Sequence, residues 1–129
     1  MSYKVVGEIL GFQDTKEVEV NAIDELFSKM TDINNDNISF ILVNPYLLRE
    51  YSFDVPLDIK TSLDIKDDSK ISVYNILLIQ KPLEKSTINF LAPIIINHDN
   101  NTFTQMVLEP KQNPDFGMAE RIESFKTEE

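Results

Sequence analysis

The segment STINFLAPIIIN, residues 86–97, decides the fold of this chain. It is mostly apolar, but Asn89 lies near its start, Pro93 in its middle and Asn97 at its end. Proline cannot donate a hydrogen bond to a neighbouring strand, so a proline inside such a run is typical of a bulge or an edge where one strand ends and another begins. A buried Asn needs hydrogen-bond partners, because an unpaired buried amide is costly. The segment therefore predicts two sheet strands that meet at Pro93, with Asn89 and Asn97 as fixed hydrogen-bonding points.

Length and composition indicate one ordinary globular domain. The chain has 129 residues, of which 42% are hydrophobic and 26% charged, and this is enough material for a core. The net charge is -10 at pH 7. This acidity argues against direct binding of nucleic acid or of an anionic membrane, since both would repel the protein. The same charge fits either a basic partner or simply a soluble surface.

The residue types and apolar segments that the sequence lacks also limit the chemistry and the cellular location that we expect. The chain has no cysteine, which excludes disulfides, thiolate metal sites and thiol nucleophiles. The first residues lack a charged leader followed by an apolar segment, and no apolar run approaches the ~18 residues that span a bilayer. We therefore expect a cytoplasmic protein with no membrane partner.

Short extended segments dominate the rest of the chain. Residues 16–23 alternate between apolar and polar side chains, the period of a half-buried strand. Residues 71–80 are apolar on both faces except for Asn75, which predicts a central strand. Further strands are predicted at residues 3–10, 38–43 and 102–108. Several strands at close spacing with few long helices predict a mainly β fold, a small antiparallel β-barrel with short peripheral helices.

Helical periodicity is confined to short stretches. Apolar residues in residues 23–30 recur at i, i+3, i+4 and i+7, which predicts a short amphipathic helix. A turn-rich loop is predicted to follow over residues 31–37. A tight, locally helical connection is predicted over residues 46–51. Residues 56–65 predict another short helix, with Pro56 acceptable at its first position.

The end of the chain differs in character from the rest. We divide the chain into a barrel domain, residues 1–109, and a C-terminal tail, residues 110–129. Pro110 and Pro114 interrupt the strand pattern. Apolar residues then recur at a spacing of three, at Phe116, Ala119, Ile122 and Phe125. This spacing predicts a short helix with one narrow apolar face, which either docks a partner or, as is more usual, packs on its own barrel.

No pattern of residues predicts catalysis, a metal site or a cofactor. The segment from Asp32 begins like a calcium-binding loop, but Asn37 and Val43 stand where that loop requires Gly and a bidentate Glu. His98 is the only histidine, and no glycine-flanked serine accompanies it, so a polar turn explains it better than a catalytic relay. The 3 glycines form no phosphate-binding cluster. We expect a protein that is not an enzyme and that needs no cofactor.

Several motifs, taken together, resemble the family of the flagellar assembly factor FliW. In chain order they are Ile9-Leu10-Gly11-Phe12, Ser39-Phe40 with Asn44-Pro45-Tyr46, Tyr51-Ser52-Phe53, and Thr87 to Ile94 with Asn97 and Gln105. The T-x-N-x-x-A-P-I block with the two downstream amides is the most specific of these. The resemblance covers residues 4–108. Phe90 stands where the family often has Leu, and the tail matches the family pattern poorly.

The resemblance implies a function in protein binding. Members of this family are small antiparallel barrels without catalytic activity. They bind the translational regulator CsrA, which relieves its repression of flagellin mRNA, and they bind flagellin as a chaperone-like partner. The charge fits this function, because CsrA holds RNA on a basic surface that an acidic protein complements. The alternative is an acidic β-barrel adaptor with another protein client.

Five of the matched residues are candidates for partner binding: Asn44, Tyr46, Asn89, Asn97 and Gln105. An amide side chain suits the bracing of a loop as well as the recognition of a partner, so the sequence leaves both roles open. Leu91, Ala92 and Pro93 are instead expected to specify strand geometry and packing.

Overall fold

Strands dominate the part of the chain that the computed structural model describes, which is residues 1–125. The strands are Ser2–Val5 (β1), Glu17–Ala22 (β2), Phe27–Asp32 (β3), Asn35–Val43 (β4), Ile71–Leu78 (β5), Thr87–Ile88 (β6), Ile94–Asn97 (β7), Thr102–Gln105 (β8) and Glu120–Arg121 (β9). The α-helix within these residues is Leu57–Ser62 (α1), and 3-10 turns lie at Pro45–Leu47, Leu83–Lys85 and Ile122–Phe125. None of the helices in this part of the chain is long and apolar enough to cross a membrane.

Seven of the strands close into a barrel. They follow one another in the order β4-β3-β2-β1-β8-β7-β5, and β5 pairs back with β4. Every pairing in the ring is antiparallel except that of β1 with β8, which is parallel. Closure leaves these strands no free edge. The prediction of a mainly β fold built on a small barrel is confirmed, and β6 and β9 extend from β5 outside the ring.

The hydrophobic core has three parts. The buried strand residues of the barrel interior come from six of the ring strands and include Val18, Met30, Leu42, Ile96 and Phe103. Tyr74 and Ile76 of β5 are partly buried and pack against them. A second cluster lies outside the barrel around Tyr51, and consists of Val43, Tyr51, Leu77, Ile88 and Phe90. A third cluster lies under α1, and consists of Leu63, Leu91, Ile95, Met106 and Leu108. Strand β7 contributes to both sides of the sheet, which explains its continuous run of isoleucines.

The segment over residues 86–97 forms two strands, as predicted. β7 pairs with the first half of β5, whereas β6 pairs with Leu77 and Leu78 at its end. Pro93 comes directly before β7, and its carbonyl accepts a hydrogen bond of 3.0 Å from the Met106 backbone N–H. The proline therefore lies where it needs no ladder donor. Only β7 belongs to the barrel ring, because β6 pairs on its other side with β9.

The predicted helix over residues 23–30 is wrong. β3 occupies the second half of this stretch and pairs antiparallel with both β2 and β4. Ahead of it, the Asp24 carboxylate accepts hydrogen bonds of 2.9 and 2.8 Å from the backbone N–H groups of Leu26 and Phe27. This forms a turn where the helix was expected to begin. Backbone pairing on two edges outweighs the helical spacing of the apolar side chains.

The predicted loop over residues 31–37 is shorter than expected, because β3 runs through Asp32 and β4 begins at Asn35. Both carboxylate oxygens of Asp32 are used within the protein. One accepts from the Thr15 hydroxyl and the other from the Asn34 backbone N–H, each at 2.8 Å. The acidic and amide residues of this segment therefore build a hairpin turn.

The first and last barrel strands are shorter than predicted. β1 ends at Val5, because Gly7 adopts a φ of 81° and turns the chain, a conformation that favours glycine. β8 ends at Gln105 within the predicted residues 102–108. α1 lies within the predicted residues 56–65, and the 3-10 turn Pro45–Leu47 lies at the start of the predicted helical connection.

As far as residue 125, the tail contains β9 and one 3-10 turn in place of the predicted helix. Its side chains Phe116, Ile122 and Phe125 pack against the cluster around Tyr51. The backbone N–H of Phe90 donates to the Gly117 carbonyl at 3.0 Å, which continues the pairing of β6 with β9. The division of the chain at residue 109 stays a prediction.

Candidate protein-interaction surface

Arg49 fastens the tail to the barrel. Its Nη1 lies 3.2 Å from each carboxylate oxygen of Glu120, and its Nη2 donates to the Asp115 carbonyl at 3.2 Å. The guanidinium also lies over three aromatic rings, with centroids 5.1, 4.9 and 5.7 Å away, those of Phe90, Phe116 and Phe125. A planar guanidinium can stack on rings and pair with a carboxylate at once, which an ammonium does less well. This contact fixes the position of residues 115–125 beside the barrel.

An apolar groove of about 440 Å³ opens where the tail meets the barrel. We call it the tail groove, and its lining includes Leu26, Phe27, Leu47, Leu83, Ile122 and Phe125. Leu47 and Leu83 are 54% and 60% exposed. Leucines that converge on one exposed groove are typical of surfaces that bind other proteins. Two carboxylates, Glu84 and Glu123, also line it.

Asn89 and Gln105, two of the predicted site residues, are brought together in a second groove of about 260 Å³. Gln105 accepts from the Leu10 backbone N–H at 2.9 Å and donates to the Ala92 carbonyl at 3.3 Å. Asn89 accepts from the Leu91 backbone N–H at 3.0 Å. Both side chains are half-buried. Each therefore braces a loop and still faces a groove, so both roles that the sequence left open are compatible with their positions.

Asn44 and Tyr46 lie in a third groove, of about 160 Å³. The Asn44 side chain accepts from the Tyr46 backbone N–H at 3.1 Å and caps the 3-10 turn that follows β4. Tyr46 is 53% exposed. Partial burial raises the pKa of its phenol. Of these two residues, Tyr46 presents the larger surface to a partner.

Asn97 is fully buried and presents no surface to a partner. Its Nδ2 donates to the Leu63 carbonyl at 2.8 Å, just beyond the end of α1. Its Oδ1 accepts from the Asp99 backbone N–H at 3.0 Å. The candidate role in partner binding is therefore corrected for this residue: Asn97 joins α1 to the turn between β7 and β8. The other four candidates divide between the second and third grooves.

A buried polar network fixes the backbone of residues 89 and 90. The Tyr51 hydroxyl donates to the Phe90 carbonyl at 2.5 Å and accepts from Asn75 Nδ2 at 3.1 Å. The same Nδ2 donates to the Asn89 carbonyl at 3.0 Å. Burial raises the pKa of Tyr51 to about 12, against a smaller lowering by the Asn75 hydrogen bond. The interruption of an apolar strand by Asn75 was the sequence signal for this network.

His98 lies in a second polar cluster, at one end of the barrel. Its Nε2 is 2.7 Å from the Ser72 hydroxyl, and its Nδ1 is 3.2 Å from the Tyr3 hydroxyl. No sequence pattern pairs His98 with Ser72, because 26 positions separate them. Among residues 1–125, Tyr3 rather than a carboxylate meets the second ring nitrogen, unlike the arrangement of a Ser-His-Asp triad. No group of three or more metal-binding side chains lies within the same residues.

The model of the FliW protein family matches residues 2–122 of this chain. The chain belongs to the FliW family. The match extends through β9, so it includes most of the tail, which the sequence resemblance had left out. FliW family proteins are flagellar assembly factors.

Individual FliW proteins match along nearly the whole chain. Flagellar assembly factor FliW 2 of Wolinella succinogenes is 47% identical over 125 residues, which are 97% of this chain and 92% of that protein. FliW 1 of the same organism is 44% identical over 128 residues, 99% of this chain and 100% of that protein. FliW of Sulfurimonas denitrificans is 41% identical over 125 residues, 97% of this chain and 98% of that protein.

The fold is also shared with a FliW protein of known structure. A crystal structure of the flagellar assembly factor FliW matches with a TM-score of 0.85, over 99% of this chain and 88% of that one. The two sequences are only 22% identical. The shared architecture therefore persists although most residues differ.

Proposed function

We propose that this protein is a flagellar assembly factor that binds the translational regulator CsrA and flagellin. Binding of CsrA relieves repression of flagellin mRNA, and flagellin is held as a chaperone-like client. The match to the FliW family over residues 2–122 carries the proposal. In this function the protein is not an enzyme, and it acts in the cytoplasm, where flagellin is translated.

The charge of the protein supports an antagonist of an RNA-binding regulator. The chain has 22 acidic and 12 basic residues. Opposite charge on two partners accelerates their encounter and aligns them. A negative protein bound beside an RNA site also repels the phosphate backbone, and this weakens RNA binding without filling the whole site. The protein thereby competes electrostatically with the mRNA.

The surface supports binding of protein partners rather than of a small substrate. The tail groove is apolar and open, and both of its exposed leucines, Leu47 and Leu83, come from 3-10 turns. Such a surface offers hydrophobic area to a partner segment. The polar clusters around Tyr51 and His98 are by contrast engaged within the fold.

Calorimetry with purified proteins tests the proposal. The protein is titrated with CsrA and, separately, with flagellin, and an unrelated basic RNA-binding protein serves as the control for charge alone. A third experiment follows displacement of flagellin mRNA leader from CsrA. We expect saturable binding to both partners, RNA release from CsrA, and no saturable binding to the control. Absence of binding to either partner contradicts the proposal and favours an adaptor with another client.

A further inference from the structure

The tail groove is built from segments that are distant in the sequence. Its walls include Leu47 from the first 3-10 turn, Leu83 from the second, and Ile122 and Phe125 from the third. Leu77 of β5, a buried residue of the cluster around Tyr51, also lines it. The groove is therefore a depression in the outer hydrophobic cluster, and an apolar side chain that enters it meets other apolar side chains on several sides.

The groove exists before a partner binds, because the tail wall is held in place. The Arg49–Glu120 ion pair and the pairing of β6 with β9 hold the backbone directly before that wall. The Ile122 backbone N–H also donates to the Ser86 carbonyl at 2.8 Å. A preformed groove avoids the entropic cost of ordering on association.

The charges at the groove are negative. Its lining contains Glu84 and Glu123 and, among the described residues, no Lys or Arg. Glu123 pairs with Arg121 at 3.3 Å, but the two side chains are 37% and 56% exposed. Exposed pairs of this kind contribute little and exchange readily for a new partner. A basic group on an incoming segment can therefore replace Arg121.

We propose that the tail groove binds an amphipathic segment of CsrA, with apolar side chains in the groove and Lys or Arg beside Glu84 and Glu123. This rests on the proposed function. The charge selects CsrA, since a protein that holds RNA requires a basic surface. The apolar face supplies affinity, and the two carboxylates set the orientation.

Exposed leucines test the apolar part of the site. The double variant Leu47→Ser, Leu83→Ser keeps the charge of the protein, and both side chains are already more than half exposed. Leu57→Ser is the matched control, because Leu57 is 79% exposed on α1 and is not part of the groove. We expect the double variant to weaken CsrA binding by about tenfold or more, and the control to stay within about twofold. Thermal unfolding of each variant verifies that it is folded.

Charge reversal tests the polar part. Glu84→Lys with Glu123→Lys is compared with Asp36→Lys and Asp67→Lys, which change the net charge equally at exposed positions outside the groove. We expect about a tenfold loss of CsrA affinity in the first pair and a smaller loss, on the order of twofold, in the second.

Each outcome of these experiments is decisive. If the wild type binds CsrA and the groove variants bind it as tightly as their controls do, the inference that CsrA binds in the groove is wrong. The proposed function then stands. The same variants are titrated with flagellin, and loss of flagellin binding alone assigns the groove to flagellin and overturns the inference. If the wild type binds no CsrA, the proposed function and the groove fail together.

Discussion

Arg49 and Glu120 form an ion pair between positions 71 residues apart, with Arg49 Nη1 3.2 Å from each carboxylate oxygen. The two side chains are only 19% and 26% exposed. Glu120 also accepts from the Gly117 backbone N–H at 2.7 Å. The pair thus connects the turn after β4 to β9, and it holds the chain next to the tail wall of the groove.

Replacement of Arg49 is expected to loosen the tail. Arg49→Ala leaves the Glu120 carboxylate without its partner and removes the stacking on three rings, so we expect it to lower the free energy of unfolding by about 2 kcal/mol. Arg49→Lys keeps the charge but not the planar fork, and should cost about 1 kcal/mol. Urea denaturation followed by circular dichroism measures both. Arg121→Ala, at an exposed pair, is the control and should change stability by less than about 0.5 kcal/mol.

Gly117 has space for no side chain. A Cβ at this position would lie 2.9 Å from Glu120 Cγ, so Gly117→Ala must shift the Glu120 side chain, and we expect this shift to weaken the ion pair with Arg49. We expect a loss of about 1–2 kcal/mol in the free energy of unfolding. In a Glu120→Ala background the contact is absent, and the same substitution should then cost much less. Equal costs in both backgrounds would show that the clash is not the cause.

The sequence predicted the barrel because its decisive strands carry local signals. The isoleucines of β7 and the alternation of β2 each identify a strand, and Pro93 identifies the boundary between β6 and β7. β3 was missed because apolar residues at its start also fit a helical spacing, and only pairing with β2 and β4 decides between the two. That pairing is a tertiary effect, which a local pattern does not contain.

The candidate surface was less predictable, since it depends on residues that meet only in the fold. In the sequence, Asn75 is a polar interruption of an apolar strand, and Tyr51 belongs to a motif of the family resemblance. Neither pattern predicts the hydrogen bond between the two side chains. No sequence pattern predicted the role of Arg49, because Glu120 and the aromatic rings that Arg49 contacts are distant from it in sequence. Asn97 differs from the other candidates because it is buried. The sequence does not predict this burial, since an amide side chain suits both a buried brace and a surface contact.

Asn97 is expected to matter for stability and not for partner contact. Asn97→Ala leaves the Asp99 backbone N–H without its partner, and the Leu63 carbonyl keeps only the hydrogen bond of 2.8 Å from Asn100 Nδ2. The free energy of unfolding should therefore fall by about 2 kcal/mol. Asn21→Ala, at an exposed position in β2, should change it by less than about 0.5 kcal/mol. At a temperature where both variants are folded, their affinities for CsrA and flagellin should equal that of the wild type. A folded Asn97→Ala protein that fails to bind would reinstate this residue as a contact.

Association with CsrA is expected to depend on salt. If charge complementarity drives the encounter, the association rate should fall by about tenfold or more as the Debye length shortens from about 10 Å at 0.1 M salt to about 3 Å at 1 M. The dissociation rate should change much less, because the apolar contacts are insensitive to screening. Stopped-flow fluorescence measures the two rates separately. An affinity that does not change between these salt concentrations would remove the electrostatic explanation.

Tyr51 is expected to make the protein sensitive to alkali. Burial raises its pKa from 10.0 to about 12, so the unfolded chain loses this proton at a lower pH than the folded protein does. The stabilising contribution is therefore complete below pH 10 and is lost as the pH rises from 10 towards 12, at up to about 1.4 kcal/mol per pH unit.

Tyr51→Phe lacks this titration, but it also lacks the hydrogen bonds to Phe90 and Asn75. It should be less stable than the wild type by about 1–2 kcal/mol at pH 8, and the difference should shrink above pH 10. Urea denaturation at a series of pH values measures the two curves, and parallel curves would show that the Tyr51 phenol is not held neutral by the fold.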